Sequence, residues 1–189
     1  MATGYLLASM LAGPVSGWGG RAGPGGSRAR NLSRCWHRRG NGASLTRLAD
    51  AQHAFVLGPA PNWPLRVTAL NLKEASHLHA EAFAAGELKH GVIALIEEGM
   101  PVVIFGAGGA PLLANAAAEV KSRGAYVIGI DHRPSEFFDE FLPTLGHDDV
   151  ALGSVLEVVP GQLLAYQLAV MRDINPDRPR NLAKCVTVR

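Results

Sequence analysis

The sequence predicts an α/β fold: a doubly wound parallel sheet flanked by helices, with a disordered N-terminal leader. Three observations carry this. Short apolar runs end at glycines, the stretches between them place apolar residues three and four apart, and the composition changes near residue 52. Continuous apolar strands alternating with helices mark a sheet covered on both faces.

The leader, residues 1–51, is read first. Of the 189 residues in the chain, the first fifty hold 10 of the 22 glycines, seven arginines, no lysine and a single acid, Asp50. That segment is therefore strongly basic, whereas the rest of the chain is mildly acidic, and the overall charge of +2 is a cancellation. A Gly/Arg-rich stretch buries too little apolar surface to offset the entropy of ordering it, so disorder is expected. Two lesser readings are a transit peptide, since the segment is Arg-rich and acid-poor, and a nucleic-acid patch at Arg34, Trp36, His37, Arg38 and Arg39. Nucleic acid is not the expected partner.

From residue 52 the elements follow in order. His53 to Gly58 reads as a buried strand. Pro59 to Pro64 is a turn offering Asn62 as a helix cap and Pro64 to the first helical turn, and the helix beyond it repeats Trp63, Val67 and Leu70. His79 to Lys89 is alanine-rich and stops before Gly91, which predicts a second helix. Pro101 to Phe105 is a strand, Pro111 to Arg123 a helix closed by Gly124, and Tyr126 to Asp131 a strand. Ser154 to Val159 is expected to be a fourth strand and Gly161 to Arg172 an amphipathic helix with Leu164, Leu168 and Met171 on one face. The tail from Asn175 should be irregular. No run of roughly 18 apolar residues occurs, which excludes a membrane-spanning helix. The two cysteines, Cys35 and Cys185, exclude a disulfide framework and an all-cysteine zinc site.

Several residues are candidates for chemistry. Glu74 lies four residues beyond Leu70 and seven beyond Val67, on the apolar stripe of its helix, with Asn71 three residues earlier on the same face. A carboxylate held against apolar surface suits a general base; the plainer alternative is a surface glutamate paired with a lysine. His90 closes the second predicted helix, where the macrodipole favours an imidazolium; a simple terminal charge is the commoner use of such a position. His77 and His79 diverge on a helix and make a poor metal pair, and His79-Ala-Glu81 lacks the Pro-Cys-x-x-Cys that a zinc deaminase needs. No metal and no cofactor is expected. Gly106-Ala-Gly-Gly109 follows a strand and opens a helix, but Pro111 stands where a third glycine belongs and no P-loop lysine follows, leaving Asp131 as the one acid placed for a ribose. A permissive turn is the better reading. Lys184 could act as a nucleophile if Arg178 and Arg180 disfavour its charged form, the alternative being a solvated lysine; Cys185 beside it is expected to be inert.

Four stretches together carry a resemblance: Leu72-Lys-Glu74, His79-Ala-Glu-Ala-Phe-Ala-Ala-Gly-Glu-Leu-Lys-His-Gly91, Pro160-Gly-Gln-Leu-Leu-Ala-Tyr166 and Pro179-Arg-Asn-Leu-Ala-Lys-Cys-Val-Thr-Val188. They resemble the sugar isomerase (SIS) domain of glutamine-fructose-6-phosphate aminotransferases, the enzymes that make glucosamine-6-phosphate, over residues 52–189, with a C-terminal loop at 174–189. The resemblance implies a cytoplasmic enzyme part. Glu74 would move a proton between carbons 1 and 2 of the sugar, and His90, lent by a neighbouring subunit, would assist ring opening. Lys184 would form a Schiff base with the keto sugar, and Asn71 and Ala183 would contact substrate. The chain also departs from the family pattern. Asn71 replaces a lysine, Gly58-Pro59-Ala60 replaces Gly-Arg-Gly, and Gly106 to Gly109 differs. No N-terminal cysteine nucleophile and no Ser-x-Ser-Gly-Glu-Thr phosphate loop occurs in the sequence. The expectation is a second isomerase subdomain that binds fructose-6-phosphate only beside a first one, is inactive alone, and hides its apolar faces by self-association. A non-catalytic sugar-phosphate-binding or regulatory module is the alternative.

Overall fold

The computed structural model describes residues 42–59, 63–106, 111–144 and 150–182. Five strands form one parallel sheet in the order β2-β1-β3-β4-β5: β1 (His53–Gly58), β2 (His79–Ala84), β3 (Pro101–Phe105), β4 (Tyr126–Asp131) and β5 (Glu140–Pro143). Around it lie α1 (Gly42–Asp50), α2 (Trp63–Ser76), α3 (Pro111–Lys121) and α4 (Val150–Met171), with two 3-10 segments at Ala85–His90 and Val92–Leu95.

The central strands are apolar on both sides because both faces are covered. Ala54 and Val56 of β1, Val103 and Phe105 of β3 and Ile128 and Ile130 of β4 join Leu48 of α1, Leu65, Ala69 and Leu72 of α2 and Leu164 and Leu168 of α4 in one cluster. The alternate residues, Phe55, Leu57, Val102, Ile104 and Val127, join Ala85 and Leu88 of the first 3-10 segment and Leu113, Ala116, Ala117 and Val120 of α3 in another. The sheet thus separates α1, α2 and α4 from the 3-10 segment and α3, as the two-residue period of a strand requires. The doubly wound parallel sheet is as expected, and β1 and β3 are the neighbours from which the chain winds in opposite directions.

Three expectations differ from the structure. The leader boundary at residue 51 is too late, because Gly42–Asp50 is a helix with Leu48 fully buried. Averaging composition over fifty residues hides the Leu45, Leu48 and Ala49 stripe; residues 1–41 lie outside those described. His79 to Lys89 is not a helix. His79–Ala84 pairs in parallel with β1 in the register His53↔His79, and only Ala85–His90 coils. Alanine's helix preference is a weak prior that sheet pairing overrides, and the signal was the alternation of exposed His79 and Glu81 with buried Ala80.

Ser154 to Val159 is not a strand but part of α4, which runs through Pro160. A buried apolar run does not reveal its own period, and Pro160 suggests a boundary because it removes an intrahelical bond and crowds the carbonyl one turn earlier, yet the helix runs through it. Gly161 lets α4 approach α2 closely, since a Cβ there would sit 2.0 Å from Thr68 Oγ1. The strand that completes the sheet is the short β5, which the sequence pattern does not announce.

Candidate active site

Glu74 and Asn71 sit near the C-terminal end of α2, flanked by fully buried Leu72 and nearly buried Ala75. Both are half-buried, and they are one helical turn apart on the same face. Asn71 Nδ2 is buried and has no hydrogen-bond partner among the described residues. A buried amide donor left unpaired costs free energy that an acceptor arriving beside Glu74 would recover.

The end of α2 is held firmly. His77 turns the chain with a left-handed φ of 58°, and the N–H groups of His77 and Leu78 donate to Lys73 O and Leu72 O. Arg172, just past α4, donates to Ser76 O at 3.0 Å and also to Leu48 O, Ala49 O and Ala51 O at 2.8, 3.0 and 2.9 Å. One guanidinium thereby satisfies carbonyls at the ends of both α1 and α2. Sequence reasoning misses this residue; its sole signal is a lone arginine directly following a long apolar helix.

His90 ends the first 3-10 segment, and Gly91 follows with φ 131°. Its ring is largely exposed, and Nδ1 lies 3.0 Å from Glu87 Oε2. The buried Ala85 and Leu88 seat this segment on the sheet face opposite α2. Glu74 and His90 are therefore not brought together within the chain, and among the described residues no hydrogen bond or ion pair joins them. Ala183, Lys184 and Cys185 lie outside the described residues; the turns after α4 carry Arg178, exposed, up to Leu182.

The remaining candidates lie elsewhere in the fold. Gly106 adopts a φ of 70°, and residues 107–110 lie outside those described. Asp131 is 1% exposed, and its Oδ1 accepts from His132 N at 2.5 Å, Arg133 N at 3.2 Å and lies 2.7 Å from His132 Nδ1. A carboxylate oxygen so occupied by its own turn is poorly placed to hold a ribose. Glu157 of α4 feels this cluster: burial first, then the charge of Asp131, raises its pKa, while His132 opposes the shift. His79 does not share its face with His77; it faces His53, with the two Nδ1 atoms 2.9 Å apart.

The open, doubly wound five-stranded parallel sheet defines the class of fold. Residues 66–172 match the SIS domain family, and the chain belongs to it. Within that class it matches the C-terminal region of the glutamine-fructose-6-phosphate aminotransferases (isomerizing). It is 43% identical over 145 residues to the Thermococcus kodakarensis protein of that name, covering 75% of this chain and 24% of the relative. It is 44% identical over 153 residues to that of Gloeobacter violaceus, covering 76% and 25%. The chain thus spans about a quarter of the length of these relatives. Among solved structures, the C-terminal domain of glucosamine-fructose-6-phosphate aminotransferase from Francisella tularensis superimposes with a TM-score of 0.62 at 29% identity, covering 81% of this chain and 46% of that one. A glucosamine-6-phosphate deaminase from Thermotoga maritima gives 0.59 at 27% identity, covering 85% and 49%. Among the described residues no helix is long and apolar enough to cross a membrane.

Proposed function

We propose that this chain supplies the isomerising half of glucosamine-6-phosphate formation from fructose-6-phosphate, acting beside a first isomerase subdomain. Glu74 takes a proton from carbon 1 of the sugar and returns it to carbon 2. Asn71 offers its free N–H to the hydroxyl oxygen on carbon 1 and so orients that carbon toward Glu74, the electron pair released is taken up by the nitrogen at carbon 2, and Ala183 contacts the sugar. His90 of a second copy assists ring opening, Lys184 forms the Schiff base at carbon 2 with loss of water, and ammonia displaces the lysine amine to leave the carbon 2 imine on which Glu74 acts. The observation that carries this reading is the pairing of half-buried Glu74 with the unpaired buried amide of Asn71. A general base works on a C–H held within its reach, and a free amide beside it can hold the hydroxyl of that same carbon. The position of His90 across the sheet from α2 supports its delivery from another subunit, since the sheet separates the two elements within one chain. Self-association would also cover Leu70 of α2 and Tyr166, Val170 and Met171 of α4, all exposed apolar residues on two adjoining helices.

Asn71 also favours a second reading, a non-catalytic sugar-phosphate-binding module, because a positive charge beside the base is lost where the family carries lysine. A chimera separates the two: residues 42–189 replace the matching segment of the Thermococcus kodakarensis relative, and glucosamine-6-phosphate formation is assayed. The catalytic reading expects turnover that Glu74→Gln lowers by about 10²–10⁴ in kcat with KM little changed, the usual share of a general base. An inactive chimera that N71K restores would establish the binding-module reading. The chain alone is expected to give no product from fructose-6-phosphate and ammonia, and measurable product would refute that.

A further inference from the structure

His53 and His79 open neighbouring parallel strands and are register partners. Their Nδ1 atoms lie 2.9 Å apart, with ring centroids separated by 5.1 Å and ring planes at 85°. The two nitrogens point at each other, so a proton on one is shared with the lone pair of the other. On the far side of His79, Nε2 lies 3.7 Å from Glu81 Oε1. That carboxylate favours the tautomer protonated at Nε2, which leaves Nδ1 of His79 as a lone-pair donor. His79 is 57% exposed, so water has access to the pair.

We propose that this histidine pair binds a late first-row divalent cation, Ni²⁺ or Zn²⁺, which displaces the shared proton. Imidazole nitrogens sit about 2.0–2.1 Å from such ions, so two ligands at a right angle are roughly 2.9 Å apart. The observed spacing matches that bite, and because the two nitrogens face each other along the line between them, both exposed rings must turn to aim their lone pairs at a common ion. A tetrahedral ion asks for roughly 3.3 Å, an opening that two exposed side chains can make. Among the described residues no group of three or more His, Cys, Asp or Glu could hold a metal, so the protein supplies two ligands and water the rest. The ion would tie the edge strand β2 to β1 just before the segment that ends at His90. This inference does not rest on the sugar reading.

The test is calorimetric titration of the full chain with NiCl₂ and with ZnCl₂, with MgCl₂ as control. The expected result is one ion bound, a higher Tm in its presence, and at least a tenfold loss of affinity in both His53→Gln and His79→Gln. Absence of binding, an equal effect from Mg²⁺, or unchanged affinity in both variants overturns the proposal. Nuclear magnetic resonance tests the same pair without substitutions: of the seven histidine rings, Ni²⁺ should broaden those of His53 and His79 first. Broadening that begins at other rings and spares this pair refutes the site.

Discussion

Glu157 lies within the apolar run Val155-Leu-Glu-Val-Val159, and its carboxyl is raised above the ordinary value of 4.5 by burial and by the neighbouring Asp131. A raised carboxylate is most at ease protonated. Its contribution to stability is complete below the ordinary value and is lost as pH rises through the folded value. Glu157→Gln keeps the shape and removes the ionisation. The variant should melt above the wild type at pH 7–8 and match it at about pH 4, where both states are protonated; a Tm difference independent of pH would refute the coupling. At this scale the sequence is readable where spacing alone matters. Glu74 and Asn71 share a face because three residues make about one helical turn, and His90 closes its segment before a glycine in the positive-φ region. It is unreadable where the partner is remote in sequence. Nothing near Asp131 announces that its own turn takes up the carboxylate, and nothing near Arg172 announces carbonyls more than ninety residues away.

Arg172 links three elements, joining the ends of α1 and α2 to the end of α4. Burial lowers its pKa, while Asp50 nearby opposes the shift, yet a guanidinium remains charged and its bonds to carbonyls are charge-assisted. Arg172→Ala would leave four carbonyls short of their donor, at a cost of about 3 kcal/mol. Denaturant unfolding should show that loss, and α1 should become the first segment to exchange its amide hydrogens; a loss under about 0.5 kcal/mol would show the contacts to be incidental. The elements legible in advance are α2 and α3, from the spacing of their apolar residues, and β1, β3 and β4, whose short apolar runs are bounded by turn residues. The stretch His79–Ala84 misleads because alanine favours helices locally while the edge of the sheet demands a strand, and pairing with β1 decides. In α4 the apolar residues surround the helix on most sides, so no single face gives its period away.

At the scale of the molecule, the order of elements is enough to predict a parallel sheet covered on both faces, because continuous apolar strands cannot face water. The order β2-β1-β3-β4-β5 and the division of side chains between the two faces need the structure, since both depend on which strands meet. That division bears directly on inheritance of activity between subunits. If Glu74 of one copy works with His90 of another, a Glu74→Gln subunit and a His90→Ala subunit are each inactive as pure dimers, yet a mixed pair holds one site with neither lesion. In the chimeric enzyme, equal mixing of the two variants after dissociation and reassociation should recover about a quarter of the wild-type rate, as random pairing into two-fold dimers dictates. A mixture as silent as its components would mean that both residues serve within a single chain. In a site shared between subunits, two defects that lie on opposite faces of one sheet complement each other only when carried by different molecules.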